Sequence, residues 1–279
     1  MATPYNCPIT IVFSFFLAGI GKNIGLAYAR EGAGVVIAAR TLDEIETTAR
    51  EIQHCGGASL AVQTDVSDYT SVENLISEAL RNFSQIDILV NNAGVQGPIG
   101  SVGEVDREEW VNTLMVNLVG TFYCCRAVLP SMKRNRRGKI INLSGGGSVS
   151  PRPNFSAYSA SKAAVVRFTE TLAGELIPWS IQVNTMAPGS TPTRITERIV
   201  AGGARAGSKE AQDAEEILRG GGVDPERQAA LAVFLASDES DGLSGRMLHT
   251  NDDWPSLIGR IAEVMATDLY TVRRTQPRE

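Results

Sequence analysis

The sequence predicts an α/β fold: one domain built on a doubly wound, mainly parallel sheet of seven strands, with helices on both faces. Three observations predict it. Short apolar runs alternate with longer segments of helical periodicity. Several of those runs are apolar at successive positions, as a strand covered on both faces requires. No linker, composition shift or internal repeat divides the chain.

The strand runs are residues 9–13, 35–39, 60–63, 86–90, 139–143, 181–186 and 246–249. The first belongs to an apolar stretch, 9–17, that imitates a signal-peptide core. It has no basic residue before it and leads straight into Gly19-Ile20-Gly21, so a buried first strand is the better reading. Helical periodicity runs through 42–54, 71–83, 107–132 and 157–177. The stretch at about 190–222 is rich in Ala, Gly and charge and weakly patterned, and it is expected to form a substrate lid of loop and short helices. The domain is thus expected over 1–254. The remainder, 255–279, carries Leu257, Ile258, Ile261, Val264 and Met265 in a helical pattern and reads as an extension that caps the body or meets another subunit.

Composition narrows the function. A net charge of −5 and a pI near 5.3 point away from nucleic acid, and the basic run Lys133, Arg134, Arg136, Arg137 reads as a solvated helix end. Cys7, Cys55, Cys124 and Cys125 show no C-x-x-C spacing, and His54 and His249 stand far apart. Reduced thiols and no metal site are expected. No other segment approaches the roughly 20 apolar residues of a membrane span, so no membrane partner and a cytoplasmic location are expected.

The chemistry is carried by Tyr158-Ser159-Ala160-Ser161-Lys162, which sets a phenol and an ammonium one helical turn apart on the same face. A neighbouring cation stabilises phenolate, so Lys162 is expected to lower the Tyr158 pKa towards working pH and suit it to proton transfer at a carbonyl or alcohol oxygen. Asn91-Asn92-Ala93-Gly94 and Pro188-Gly189 each follow a strand, where ligands bind in open α/β sheets. Asn117 and Gly120 lie on a helix between them, and Ser144 closes the strand at 139–143.

These motifs, in this order, resemble the short-chain dehydrogenase/reductase family over about residues 9–254, and the resemblance implies a Rossmann-type fold. It implies Tyr158 as acid/base, Lys162 on the nicotinamide ribose, Asn117 holding a water of the proton relay, and Ser144 as the hydroxyl that supports catalysis. It further implies cofactor contacts from Gly19, Ile20 and Gly21, from Asn91, Ala93 and Gly94, from Pro188, Gly189 and Thr193, and from Asp65 with Val66 at the adenine. Arg40 follows the second strand, and Ala39 stands where NAD-using relatives carry an acid. NADP(H) is therefore favoured, with NAD(H) as the other possibility. A small alcohol or carbonyl substrate and a homodimer or homotetramer are implied as well. Pro153, Phe155 and Trp179 are candidate wall residues on the substrate side.

Two departures qualify the resemblance. The family's T-G-x-x-x-G-x-G loop places Phe15 at its first glycine when aligned on Gly19 and Gly21. A second register begins at Ala18-Gly19 and closes on Gly25, at the cost of a helix one turn shorter. The family's catalytic serine falls on Gly145, with Ser144 before it and Ser148 after it. If a hydroxyl is simply missing, serine at 145 should raise turnover; alternatively, backbone N–H groups of Gly145-Gly146-Gly147 serve the substrate oxygen. Asn251-Asp252-Asp253-Trp254 is a further oddity, read as solvated. A non-catalytic dinucleotide-binding or scaffold protein is the alternative.

Overall fold

All six residues of β2 (Gly34–Ala39) are buried, because both faces of this strand carry helices. In the computed structural model, which describes residues 9–14 and 19–274, Val35, Ile37 and Ala39 point into one apolar cluster while Val36 and Ala38 point into another. Beside it run β1 (Thr10–Ser14), β3 (Ser59–Gln63), β4 (Ile88–Asn91), β5 (Gly138–Leu143), β6 (Ile181–Ala187) and β7 (Met247–His249). All pairings are parallel, in the order β3-β2-β1-β4-β5-β6-β7. The order reverses between β1 and β4, the switch point at which such sheets open a crevice.

One face is covered by α1 (Ile20–Arg30), α2 (Leu42–His54) and α9 (Pro225–Ala236), through Ile24, Tyr28, Ile45, Ile52 and Phe234. The other is covered by α3 (Tyr69–Phe83), α5 (Gly120–Asn135) and α6 (Ser156–Leu176), through Val72, Leu75, Cys124, Val128 and Leu172. Before α5 lie α4 (Arg107–Leu114) and a π-helical turn, Met115–Val119. The continuous helical run Arg107–Asn135 has the length and composition to cross a membrane, with a best window of mean hydropathy 1.3, contrary to the expectation that no segment approaches this. Here it packs against α3, α6, β4 and β5.

Helix α1 begins at Ile20, immediately after Gly19 at φ 79°, which is the first of the two loop registers; the Asn23-Ile24-Gly25 alternative lies inside the helix. Phe15 and Ala18 lie outside the described residues. Between β6 and α9 stand α7 (Arg194–Gly202) and α8 (Ser208–Leu218). The C-terminal stretch is less helical than its pattern suggests. Among its described residues only α10 (Ile261–Met265) is α-helix, because Pro255 lies in a short 3-10 turn and Gly259, at φ 78°, separates that turn from α10. Leu257 and Val264 are buried, whereas Ile258 and Met265 are exposed. The buried Arg246 guanidinium donates to the carbonyls of Val264, Met265 and Thr267, and the Met247 N–H donates to the Tyr270 carbonyl.

Candidate active site

At the C-terminal ends of β4, β5 and β6 the sheet opens into a cavity of about 540 Å³. Its lining includes Ile20, Gly21, Gly94, Ser144, Tyr158, Lys162, Pro188, Gly189 and Thr193, so residues spread over most of the sequence meet in one space. A smaller cavity of about 70 Å³ adjoins Gly94 and is lined by Arg40, Asp65, Val66 and Ala93.

Tyr158 and Lys162 lie on the first turns of α6, and both are buried. The Lys162 Nζ donates to the Leu143 carbonyl at 2.9 Å and stands 5.9 Å from the Tyr158 ring centroid. Burial pushes Lys162 down to about 8 and pushes the Tyr158 phenol upward; the Arg152 guanidinium is what opposes the rise. The expectation that Lys162 lowers the Tyr158 pKa is thus corrected. Desolvation prevails over the one opposing charge, that of Arg152, and the Lys162 ammonium is directed at a backbone carbonyl.

Asn117 sits fully buried in the π-turn and lines neither cavity. Its Oδ1 accepts the Val95 N–H at 2.7 Å, and its Nδ2 donates to the Val95 carbonyl and to Ser161 Oγ, each at 3.0 Å. The side chain clamps the turn after β4 onto α6. Gly120, one turn later, allows α5 to approach Val66, since a Cβ there would fall 2.8 Å from Val66 Cγ2. Asn91 turns its side chain away from the cavity. Its Nδ2 faces inward to Asn142 Oδ1 at 2.8 Å, and the neighbouring Asn92 lines the larger cavity instead. Of the candidate wall residues, Trp179 sits before β6 between Lys133 and Arg136 and Pro153 is exposed, so neither lines a cavity. Phe155 is fully buried under α7 and α8.

The glycine run has a packing reason that sequence could not show. A Cβ at Gly145 would lie 2.3 Å from the Tyr158 hydroxyl and 3.0 Å from its ring, so the phenol occupies the space a side chain would need. Beside it, a Cβ at Gly146 would stand 3.3 Å from the Arg152 guanidinium, and one at Gly147, which has φ 86°, would run into the Ser159 side chain, 2.8 Å from its Cβ. Serine at 145 therefore cannot be added without moving the Tyr158 phenol. Ser144 remains the nearby hydroxyl: it is buried, it lines the cavity, and its Oγ has no partner among the described residues.

The sequence motifs do not mark Arg152. It lines the cavity, lies 4.1 Å over the Phe155 ring, and pairs with Glu210 of α8 through Nε at 3.1 Å and Nη2 at 2.7 Å. Its only sequence signal is weak, a lone cation between two prolines. Asp65 accepts from the Ser67 N–H and hydroxyl in a tight turn that presents Val66 to the smaller cavity.

The model of short chain dehydrogenases matches residues 16–203, more than half of the chain. The chain belongs to the short-chain dehydrogenase/reductase family. This oxidoreductase is 38% identical over 246 residues to 3beta-hydroxysteroid dehydrogenase 1 of Eggerthella lenta, covering 86% of this chain and 90% of that one. It is similar to an NAD+-bound xylitol dehydrogenase at TM-score 0.80 and 25% identity, over 86% of this chain and 96% of the other. It is also similar to an actinorhodin polyketide ketoreductase with NADPH at TM-score 0.79 and 26% identity, over 86% and 95%. One of these neighbours carries NAD+ and the other NADPH.

Proposed function

We propose that the chain interconverts a secondary alcohol and its carbonyl compound by hydride transfer with NADP(H), Tyr158 serving as the acid/base. The observation that carries this reading is the meeting of Tyr158, Lys162, Gly94, Pro188, Gly189 and Thr193 in one cavity at the sheet's switch side.

The residues present fit a dinucleotide. A Cβ at Gly19 would come within 3.2 Å of the Pro192 carbonyl, so this turn before α1 admits backbone only, and the first turn of α1 carries no acid that would repel a pyrophosphate. Arg40, with Ala39 before it, favours a 2′-phosphate. When bound, the nicotinamide gives or takes the hydride. Burial keeps the Tyr158 phenol protonated, ready to donate to a carbonyl oxygen as that oxygen gains charge. Lys162 sits against Gly94 and supplies a donor at that turn. The segment at 190–222 acts as the lid, and its Ile195, Ile199 and Ile217 give the substrate side an apolar wall.

A panel of ketones and aldehydes assayed with NADPH tests the reading. Turnover with at least one, reduced about 10²–10⁴-fold in Tyr158→Phe, is expected. Phe15, standing at the first glycine of the family's cofactor loop, favours a second reading, a non-catalytic dinucleotide-binding protein. NADPH binding without turnover on any member of the panel would decide for it.

A further inference from the structure

The smaller cavity has a second cation that the family motifs do not mark. Arg194, the first residue of α7, lines it together with Arg40 and Thr41. Its neighbour Thr193 lines the larger cavity, so the start of the lid touches both spaces. Arg194 reaches across to α2, where its Nη2 pairs with Glu44 Oε1 at 3.0 Å. The other carboxylate oxygen of Glu44 is buried and has no partner among the described residues. Arg40, by contrast, is exposed and forms no ion pair with any described residue. Thr41 is the N-cap of α2 yet makes no side-chain capping bond.

A phosphate monoester carries nearly two negative charges at neutral pH and has three strong acceptor oxygens. One exposed guanidinium neutralises it incompletely, whereas two guanidinia at a helix start match both its charge and its oxygens. Arg40 and Arg194 line the same small space at the start of α2. Glu44 holds Arg194 there but adds one opposing charge. We infer that Arg194 is the second cation of a 2′-phosphate site and determines cofactor choice together with Arg40, with Glu44 as its positioning residue. The inference rests on the NADP(H) reading above. It adds that the lid's first residue belongs to the adenosine site, so the 2′-phosphate helps seat the lid.

The test is equilibrium titration of the full chain with NADPH and with NADH, followed by cofactor fluorescence. Arg194→Met should weaken NADPH binding about tenfold and leave NADH within about twofold, with Arg194→Lys intermediate. Glu44→Gln should tighten NADPH a few-fold without moving NADH. Circular dichroism checks that each variant is folded, and Glu44→Gln provides an independent arm should Arg194→Met fail to fold. If Arg194→Met weakens both cofactors alike, or neither, while the unaltered chain prefers NADPH, this inference falls and the NADP(H) reading stands. If the unaltered chain shows no preference for NADPH, both fall.

Discussion

On the sheet side of the larger cavity the polar side chains are buried and spent on neighbouring elements. Asn117 clamps Val95, Asn91 bonds Asn142, Asn142 bonds Thr169, and Lys162 bonds the Leu143 carbonyl. On the opposite side, α7 and α8 bury Thr196, Ile199 and Ala214, pack on Phe155 in a small apolar cluster, and add the ion pairs Arg152–Glu210, Arg194–Glu44 and Arg198–Glu109. Buried hydrogen-bond networks are costly to break, while the largely exposed pairs Arg194–Glu44 and Arg198–Glu109 are worth little. The difference teaches that the wall bearing Tyr158 and Lys162 is fixed by buried hydrogen bonds, whereas α7 and α8 are attached with far less buried polar bonding.

Breaking the rigid side should have the largest effect. Asn117→Ala leaves the Val95 N–H and carbonyl without their partner, and denaturant unfolding should show a loss of about 2–3 kcal/mol. If stability is unchanged, the contrast between the two walls is wrong. Next comes Gly145→Ser, which pushes on the phenol. Turnover should fall about tenfold while the melting temperature moves little, because the displaced group is the far end of one side chain. A rise would restore the missing-hydroxyl account.

Lys162→Met comes third and is read against pH. Burial disfavours the ammonium, so the folded chain loses its proton at about 8 whereas the unfolded chain holds it to 10.5. The unfolded state therefore binds more protons between these values, and stability rises with pH across that window. Lys162→Met should be more stable at pH 7 by about 1–2 kcal/mol, after losing one hydrogen bond, and the gain should vanish by pH 10.5. A pH-independent difference would contradict the burial account. The smallest effect belongs to the lid. Arg198→Gln should cost no more than about 0.5 kcal/mol in the same unfolding experiment, since both partners are largely exposed.

The sheet was legible because its strands are apolar on both faces. β2 and β4 are buried at every position, and the expected runs overlap all seven strands with ends displaced by a residue or two. Part of the cavity was legible for the same reason, since Ser144, Gly94 and Pro188 follow recognisable strands, while Tyr158 was legible through its one-turn spacing to Lys162 on α6. What escaped was interaction between distant loops. Arg152 and Glu210 are 58 residues apart, and Arg194 and Glu44 are 150 apart. No local periodicity encodes such pairs. The periodicity over 107–132 implies a uniform helix, yet Asn117 falls in a π-turn and α5 continues through Pro130 to Asn135. The C-terminal pattern is apolar enough for a long helix, but Pro255 and Gly259 shorten it.

The seat of that C-terminal stretch has its own consequence. β7 is the last strand, only three residues long, and a bare margin of a sheet is a template on which another molecule can add a strand. Here the Met247 N–H is already taken by the Tyr270 carbonyl, and Arg246 ties down the chain that supplies it. The molecule thus blunts one of its two open margins with its own tail, which guards it against edge-to-edge aggregation and fibre-like growth from that side.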